Sequence, residues 1–408
     1  MPGPLAGIVV LDLSRILAGP WATQALADFG AEVIKIEHPR GGDDTRSWGP
    51  PYLRDAEGRE TSESAYYLAA NRGKKSVAID LAQPEGQALV RRLAAQADVL
   101  VENFKVGGLA RYGLAYADLA ALNPRLVYLS ISAFGQDGPD AAGPGYDAMI
   151  QGQGGLMSIT GVPDGEPGAG PQKVGVAVAD LMCGMYAVAG ILAALNERHA
   201  SGQGQYIDLS LLDTQVAWLA NQNLNYLVTG TPPQRRGTAH PNIVPYQAFA
   251  TADGHFMLAV GNDAQFARFC AAAGQPALAT DPRYATNSAR VAHRQELVPM
   301  IERLLGARTS VEWITVLKAA QVPCGSINDL AQVFSEPQVR HRRLRLDLPH
   351  PTAGSAPGVR NPILFSRTPI EYERAPPPLG ADTDEVLGRR LGLDAGALAD
   401  LRGRGVLL

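Results

Sequence analysis

The first 135 residues alternate between two hydrophobic periodicities, and this alternation constrains the fold more than any other feature. The strand candidates are short apolar runs rich in β-branched residues, at 7–13, 31–37, 76–81, 97–103 and 126–134. Two helix candidates, 19–30 and 84–96, lie among them, and each carries a proline near its start. Parallel strands need long crossovers, so strands that alternate with helices predict an α/β fold with a doubly wound, parallel sheet.

In such a sheet, ligands bind beyond the carboxyl ends of the strands, close to the point where the strand order reverses. The segment Arg15 to Ala18 follows the first strand candidate, and His38 follows the second. Asn103 and Phe104 follow the fourth strand candidate. These residues are therefore the first candidates for a binding site.

The remaining sequence indicates a second domain. Residues 135–172 are rich in glycine and proline and predict a loop region, and a buried helix is predicted at about 181–199. Residues 229–249 resemble a domain boundary, because their prolines and glycines forbid regular structure. Beyond this boundary, a strand candidate at 255–261 and several helix candidates indicate a smaller α+β domain.

A chain of 408 residues exceeds the size at which one hydrophobic core usually keeps growing. We therefore expect a large domain over 1–225 and a small domain over 226–330. The C-terminal segment, 331–408, is expected to return to the large domain.

Composition and missing motifs exclude several classes of function. A net charge of −4 and a pI near 6.0 give no positive electrostatic potential that would attract nucleic acid, so no nucleic-acid partner is expected. The absence of a signal-like N-terminus and of long apolar stretches predicts a soluble, cytoplasmic protein without a membrane partner. Three widely spaced cysteines predict reduced thiols and no metal site. No GxGxxG, P-loop or GxSxG motif stands where a dinucleotide, nucleotide or serine-hydrolase site needs it.

Asp180 is the one charged residue in the apolar segment "VGVAVADLMCGMYAVAG", 174–190. A buried, unpaired carboxylate is costly, so its place needs a hydrogen-bonding or a chemical reason. One interpretation is a helix N-cap, whose side chain accepts backbone N–H groups of the first turn. The other is a nucleophile, because a helix N-terminus stabilises an anion and apolar surroundings leave it poorly hydrated. The two interpretations are compatible.

The basic cluster "NRGKKS", 71–76, holds Arg72, Lys74 and Lys75. One interpretation is a solvated turn. The other is a phosphate site, formed together with Arg111 and other arginines of neighbouring loops, because lysine and arginine donate charge-assisted hydrogen bonds to phosphates.

A second basic cluster, "RRGTAHPNIVPY", 235–246, holds Arg235, Arg236 and His240. Solvated loop cations are one interpretation. The other is recognition of a carboxylate, because paired arginines beside a rigid proline turn are suited to bidentate hydrogen bonds.

Together these segments resemble the class III CoA-transferases, the family that includes formyl-CoA transferase, carnitine CoA-transferase and α-methylacyl-CoA racemase. The segments that carry the resemblance are "GIVVLDLSRILAGPWATQALADFGAEVIKIEHP", "NRGKKSVAIDL", "DVLVENFKVGGLARYGL", "PGYDAMIQGQGGLMSITG", "VADLMCGMYAVAGILAAL", "HPNIVPYQAF", "TADGHFMLAVGN" and "PPPLGADTDEVL". They follow the family's order over nearly the whole chain, and this ordered agreement makes the resemblance specific.

The resemblance implies a Rossmann-like large domain, a smaller domain and an interlocked homodimer. It implies that Asp180 is the nucleophile, which forms a mixed anhydride with the donor acyl group and then an aspartyl-CoA thioester. CoA is therefore a substrate, no permanently bound cofactor is expected, and the expected partners are acyl-CoA and small carboxylic acids.

The resemblance also implies a set of CoA-contacting residues: Arg15, Ile16, Leu17, Ala18, His38, Arg72, Lys74, Lys75, Asn103, Phe104 and Arg111. His38 stands where several relatives carry an arginine beside the adenine. Tyr146 and Asp147, in "PGYDAM", fall where formyl-CoA transferase has a tyrosine and an acid that line its active site.

Within the family, the segment 235–247 most resembles transferases that act on dicarboxylates, with succinyl-CoA as the expected donor. A second substrate carboxylate needs a cation, and Arg235, Arg236 and His240 are the candidate substrate-binding residues. Two alternatives stay open, an α-methylacyl-CoA racemase or epimerase and a CoA-binding protein without catalysis. Racemases of the family use a histidine at the position of Tyr146, and tyrosine is a poor proton carrier near neutral pH.

Overall fold

The computed structural model describes residues 3–408, which separate by their internal contacts into two compact units. The large unit comprises the chain up to Leu156, Lys173–Thr231 and Arg340–Leu408. The small unit comprises Met157–Gln172 and Pro232–Val339. The sequence places the boundaries after 225 and 330 and leaves 157–172 in the large domain. In the structure, residues 157–172 belong to the small unit instead. One of the contacts that join them to it is the hydrogen bond from the Gly237 N–H to the Gly161 carbonyl oxygen, at 3.1 Å.

The regular elements of residues 3–408 are numbered along the chain. The strands are β1 (Val9–Asp12), β2 (Glu32–Glu37), β3 (Tyr52–Arg54), β4 (Glu60–Ser64), β5 (Lys75–Ala78), β6 (Val99–Glu102), β7 (Val127–Ser132), β8 (Gly161–Val162), β9 (Gly170–Pro171), β10 (Tyr206–Ser210), β11 (Tyr246–Ala250), β12 (His255–Ala259), β13 (Cys324–Ser326), β14 (Arg345–His350) and β15 (Gly354–Val359). The α-helices are α1 (Ala18–Asp28), α2 (Ala65–Ala70), α3 (Pro84–Ala94), α4 (Tyr116–Leu122), α5 (Asp147–Gln153), α6 (Leu156–Ile159), α7 (Val178–Ser201), α8 (Leu211–Trp218), α9 (Asn221–Thr229), α10 (Asp263–Ala272), α11 (Asn287–Ala292), α12 (Arg294–Leu305), α13 (Ser310–Ala319), α14 (Leu330–Ser335), α15 (Pro337–His341), α16 (Thr383–Leu391) and α17 (Ala395–Gly403). Short 3₁₀ helices span Asp44–Ser47, Ala110–Tyr112 and Pro276–Ala279.

The large unit is built on a six-stranded sheet in the order β10-β7-β6-β1-β2-β5, with every neighbouring pair parallel. The predicted α/β class with a parallel sheet is confirmed. From β1 the chain proceeds outwards to β2 and β5, and then returns to the opposite side of β1 with β6. The strand order therefore reverses between β1 and β6, and the segments that follow these two strands meet at the ligand-binding edge of the sheet.

Hydrophobic clusters cover both faces of this sheet. On one face, the residues of α1 and α7 pack against the strands, with Leu26, Ala187 and Ile191 fully buried. On the other face, α3 and the C-terminal helices α16 and α17 supply buried residues such as Val90 and Leu387. A sheet covered by helices on both faces is a doubly wound α/β layer structure.

The C-terminal segment also covers the edge strand β5. The Asp382 carboxylate accepts from the Ser76 N–H at 2.9 Å, and the Thr383 hydroxyl oxygen accepts from the Ala78 N–H at 3.1 Å. Just beyond the strand, the Asp80 N–H donates to the Val406 carbonyl oxygen at 2.9 Å. Backbone groups that an edge strand leaves unpaired are thereby satisfied.

Helix α7 begins at Val178, earlier than the predicted start at about 181. One face, which includes Cys183 and Ala187, is buried against α1 and β7, whereas Met185 and Tyr186 on another face are exposed. The helix is long and apolar enough to cross a membrane by length and composition alone, a test that core helices of soluble proteins also pass. Its buried face accounts for much of its apolar composition.

The small unit has its own core. Strands β11, β12 and β13 form an antiparallel sheet, and aromatic residues of α10 and α13 pack on it, with Phe266, Phe269 and Trp313 buried. The unit combines helices with an antiparallel sheet, as the α+β prediction requires. A buried Arg290 is matched by the Asp263 carboxylate at 2.8 Å.

Two buried ion pairs connect β1 and α1 of the large unit with the "NRGKKS" segment. The Arg72 guanidinium donates to both Asp28 oxygens, at 2.8 and 2.6 Å, and the Lys74 ammonium donates to Asp12 at 3.1 Å. All four side chains are buried. Removing one partner of such a pair leaves an uncompensated buried charge, which is far more costly than losing an exposed pair.

Arg72→Met is therefore expected to lower the free energy of unfolding by about 3–5 kcal/mol, because the buried Asp28 carboxylate loses its cation. Urea denaturation followed by tryptophan fluorescence measures this loss. Arg59→Met is the control, because Arg59 pairs with Asp55 and Glu57 at an exposed turn. Equal denaturation midpoints for the two variants would contradict a structural role for Arg72.

Candidate active site

A cavity of about 420 Å³ lies where the strand order of the large unit reverses. It is lined by the Arg15–Ala18 segment after β1, by Asn103 and Phe104 after β6, and by Tyr146 and Asp180. The structure thus brings together the predicted nucleophile and seven of the predicted binding residues in one cavity. This is the edge of the sheet at which a doubly wound fold binds its ligands.

Asp180 lies in the first turn of α7, and the N-cap position of this helix is Ala177. The N-cap interpretation of Asp180 is therefore wrong. The capping contact comes from Asp147 instead, whose Oδ1 accepts from the Ala179 N–H at 2.8 Å. Because the helix starts earlier than predicted, Asp180 is free of this structural role.

The Asp180 carboxylate is poorly stabilised by its surroundings. Its residue is only 9% exposed, and within residues 3–408 the carboxylate neither accepts a hydrogen bond nor forms an ion pair. Burial, and secondarily the Asp147 carboxylate, raise the pKa of Asp180 to about 7. A carboxylate of this pKa is partly ionised near neutral pH, and its lone pairs are unoccupied.

Asp147 is held by Gln151, a residue of the site that the sequence analysis does not identify. The Gln151 side-chain N–H donates to Asp147 Oδ2 at 2.7 Å, and its carbonyl oxygen accepts from the Val174 N–H at 2.8 Å. Gln151 is fully buried, whereas Tyr146 is 66% exposed at the rim of the cavity. The sequence offers no signal that separates Gln151 from the rest of the predicted loop region, 135–172.

Asn103 binds the segment that follows β1. Its side-chain oxygen accepts from the Arg15 N–H at 2.8 Å, and its side-chain N–H donates to the Arg15 carbonyl oxygen at 2.7 Å. The Arg15 guanidinium lies over the Phe104 ring and forms an ion pair with Asp44 at 2.8 Å. The two predicted segments, which are 88 residues apart, are thus in direct contact.

A second cavity, of about 560 Å³, adjoins the first, because Arg15, Phe104 and Lys105 line both. His38 and Arg111 also line the larger cavity. Lys105 is a further cation that the sequence analysis misses, although it directly follows Asn103 and Phe104 after the same strand. Cations and an aromatic ring make this cavity suitable for a phosphate-bearing ligand with an aromatic base.

The His38 side chain is half-exposed and lies beside an acid. Its Nε2 atom lies 3.7 Å from Asp80 Oδ1, while its Nδ1 atom accepts from the Arg40 N–H at 3.0 Å. Both His38 and Asp80 line the larger cavity.

The structure corrects the phosphate-binding interpretation of Arg72, Lys74 and Lys75. None of the three lines either cavity. Arg72 and Lys74 form the buried ion pairs described above, and the Lys75 ammonium pairs with Glu385 at 2.5 Å and Glu32 at 3.3 Å. These cations are neutralised within the large unit, so their role is structural.

Arg235, Arg236 and His240 belong to the small unit. The Arg235 guanidinium forms an ion pair with Asp164 and donates to the Val162 carbonyl oxygen at 3.2 Å. Arg236 is exposed and forms no ion pair within residues 3–408. Burial, and then the Arg294 guanidinium, lower the pKa of His240. Arg236 is therefore the arginine of this pair that is free to bind an added anion.

Comparison with known proteins identifies the family. The family described as CoA-transferase family III matches residues 5–383. A succinate–glutarate CoA-transferase of Agrobacterium fabrum is 54% identical over 384 residues, which cover 94% of this chain and 95% of the relative. A succinyl-CoA:glutarate CoA-transferase of Mus musculus is 43% identical and covers 99% of this chain and 90% of the relative.

The fold agrees with this assignment. The crystal structure of a CAIB/BAIF family protein from Brucella suis has a TM-score of 0.83 and 46% sequence identity, and the match covers 96% of this chain and all of the other. Together with the order of the motifs, these matches show that the chain belongs to CoA-transferase family III and is an enzyme of the transferase class.

Proposed function

We propose that this enzyme transfers CoA from succinyl-CoA to a dicarboxylic acid, with glutarate as the first candidate acceptor. The observation that carries the proposal is the Asp180 carboxylate, which has no hydrogen-bond partner within residues 3–408 and opens into the cavity at the strand-order reversal. The names of the relatives from Agrobacterium fabrum and Mus musculus support the choice of succinyl-CoA and glutarate.

In the proposed mechanism, one Asp180 oxygen attacks the thioester carbonyl of succinyl-CoA. The C–S bond breaks, CoA leaves as a thiolate, and an aspartyl–succinyl anhydride remains. The thiolate then attacks the aspartyl carbonyl, succinate leaves, and an aspartyl-CoA thioester is formed. The acceptor carboxylate repeats both steps in reverse and regenerates the Asp180 carboxylate. Each step exchanges one acyl bond for another, with no net change in protons or electrons.

The surroundings of Asp180 suit a nucleophile. A carboxylate that accepts no hydrogen bonds keeps its lone pairs available, and its burial removes the water that otherwise weakens its attack and hydrolyses the anhydride. We propose that CoA extends from the larger cavity, past Phe104, to Asp180. Arg15, Lys105 and Arg111 then supply positive charge for its phosphates.

Two other functions receive no comparable support. A racemase of this family needs a histidine as proton carrier at position 146, and this chain has a tyrosine there. A non-catalytic CoA-binding protein needs a structural role for Asp180, but the capping contact of α7 is made by Asp147.

A homodimer is also part of the proposal, with the interlocked arrangement that the family resemblance implies. Its support is an exposed apolar surface on the large unit: Met185 and Tyr186 on α7, Val216 on α8, and Leu227 and Val228 on α9. Large exposed apolar patches mark interaction surfaces, and α7 and α8, which carry three of these side chains, pack against each other. A cytoplasmic location is also proposed. Its support is that the three cysteines are free thiols, as is usual in a reducing compartment.

Asp180→Asn is expected to reduce CoA transfer from succinyl-CoA to glutarate by about 1,000-fold or more, because an amide cannot form the anhydride. In the wild-type enzyme, succinyl-CoA followed by hydroxylamine is expected to convert Asp180 to a hydroxamate, which peptide mass spectrometry detects. The reaction without succinyl-CoA gives the background.

Asp213→Asn is the matched control for this substitution. Asp213 lies in the first turn of α8, as Asp180 does in α7, but it is exposed and lines neither cavity. Full activity of Asp180→Asn, or hydroxamate formation at other acids only, would refute the proposed chemistry.

The kcat/KM for succinyl-CoA is expected to rise with pH through about 7, because Asp180 has a raised pKa of about 7 and attacks only when ionised. Asp147→Asn removes the neighbouring negative charge, which raises the pKa of Asp180, and is therefore expected to shift this limb to lower pH. The asparagine oxygen still accepts from the Ala179 N–H, so the capping contact is kept. A pH–rate profile for both enzymes measures the shift.

The free energy of unfolding is expected to fall as the pH rises, whereas kcat/KM rises. A carboxyl whose pKa is raised by folding binds its proton more tightly in the folded state, so the free energy of unfolding falls between about pH 4 and 7. Asp180→Asn is expected to flatten this decline in pH-dependent denaturation. An unchanged decline, together with an unshifted rate profile in Asp147→Asn, would contradict the raised pKa.

Arg236→Met is expected to raise the KM for glutarate by about tenfold and to leave the KM for butyrate unchanged, because only glutarate presents a second carboxylate. Steady-state kinetics with both acceptors measure the difference. Arg235→Met is the adjacent control, because Arg235 is already paired with Asp164. Equal effects of Arg236→Met on both acceptors would show that Arg236 does not recognise the second carboxylate.

A further inference from the structure

The segment between β1 and α1 has a backbone conformation that its sequence disfavours. Ile16 has φ = 71°, in the left-handed region that β-branched residues rarely adopt. It lines the same cavity as Asp180. Such strain persists only where surrounding contacts hold the backbone, and it is concentrated at functional sites.

Asp43 holds Ile16 from the loop after β2. Its Oδ1 atom accepts from the Ile16 N–H at 3.2 Å and from the Thr45 N–H at 3.0 Å. Its Oδ2 atom accepts from the Lys35 ammonium at 2.8 Å. Asp43 and Lys35 are buried, so water does not compete for these bonds.

Lys35 also holds the residue at the start of the segment. Its ammonium donates to the Ser14 carbonyl oxygen at 2.8 Å, while the Ser14 N–H donates to Asp12 Oδ1 at 2.9 Å. Lys35 is on β2, and Asp12 is the last residue of β1. The backbone on the N-terminal side of Ile16 is therefore bound to two rigid strands.

Asn103 holds Arg15 through the two hydrogen bonds described above, one to its N–H and one to its carbonyl oxygen. Ser14, Arg15 and Ile16 are thus each bound by a side chain from outside the segment. The three contacts come from β1 and β2, from the loop after β2, and from the loop after β6. The connection from β1 to α1 is short, because β1 ends at Asp12 and α1 begins at Ala18. A connection this short does not need three contacts from other segments to close.

We propose that Asp43 is a positioning residue for the CoA-transfer reaction, which holds the strained Ile16 and thereby keeps the Arg15–Ala18 segment in place at the Asp180 cavity. This inference rests on the proposed function. A displacement of about 1 Å in a group that positions substrate costs about 100-fold in rate, so a strained segment beside the nucleophile needs firm support.

The geometry separates this role from simple stabilisation. A buried ion pair is weak support for stability, since apolar residues often replace it without loss. Asp43, however, uses one oxygen for the Ile16 and Thr45 N–H groups and the other for Lys35. An asparagine has only one acceptor oxygen, so Asp43→Asn loses either the contact with Ile16 or the contact with Lys35.

The experiment is a double-mutant cycle of Asp43→Asn and Ile16→Gly, with kcat and KM measured for succinyl-CoA and glutarate. Glycine adopts the left-handed conformation without strain, so it needs no support from Asp43. We expect Asp43→Asn to reduce kcat by about 100-fold in the wild-type background. In the Ile16→Gly background, we expect the same substitution to cost about tenfold less.

Asp28→Asn is the matched control, because it removes another buried aspartate whose partner, Arg72, does not line the cavity. This control is expected to lower the thermal midpoint, to leave kcat unchanged, and to show no coupling with Ile16→Gly. An equal loss of kcat in both backgrounds, or a loss with Asp28→Asn as large as with Asp43→Asn, would overturn the proposal.

Asn103→Ala provides a second variant if Asp43→Asn does not fold, because Asn103 is only half-buried. Its loss of kcat is also expected to shrink in the Ile16→Gly background, and additive losses would overturn the proposal. If the wild-type enzyme forms no hydroxamate at Asp180, the proposed function fails. The cycle of thermal midpoints then decides the inference separately: coupling between positions 43 and 16 supports the contact, and additivity refutes it.

Discussion

The burial of charge at the carboxyl edge of the parallel sheet is the constraint on which the large unit depends. Asp12 and Glu37 end the neighbouring strands β1 and β2, and Lys35 lies within β2. All three are buried and matched by an opposite charge from another segment. Because an unmatched buried charge is costly, these pairs force β1, β2 and the loops beyond them into one arrangement. Asp180, at the same edge, is left unmatched within residues 3–408.

This contrast explains how one edge of a sheet serves both stability and chemistry. Matched carboxylates have low pKa values and occupied lone pairs: the Lys35 ammonium and the Thr45 N–H outweigh burial and lower the pKa of Asp43 to about 2. Asp180 has neither kind of contact, and its pKa rises to about 7. The same residue type is thereby a structural anion in one position and, in the other, a carboxylate without hydrogen-bond partners, as the proposed nucleophile requires.

The parallel sheet can be predicted from the sequence, and Asp180 can be singled out in that sequence, because both depend on local pattern. The nucleophilic role proposed for Asp180 comes from the family resemblance. Buried parallel strands are short apolar runs, and Asp180 is the one charged residue in the apolar segment 174–190. The partners of charged residues cannot be predicted in this way. Arg72 and Lys74 resemble a phosphate site until Asp28 and Asp12, 44 and 62 residues away, are brought beside them. Similarly, Asp147 caps α7 from 32 residues away, and no local signal separates that role from the one assigned to Asp180.

The covering of β5 by the C-terminal segment bears on how the protein is made. Backbone groups of β5 and of Asp80 just beyond it are satisfied by Asp382, Thr383 and Val406. Helices α16 and α17 complete the hydrophobic core on one face of the sheet. During translation, the N-terminal half of the large unit leaves the ribosome long before these residues are synthesised. The nascent chain must therefore carry an incomplete core, exposed along one face, until α16 and α17 have been synthesised.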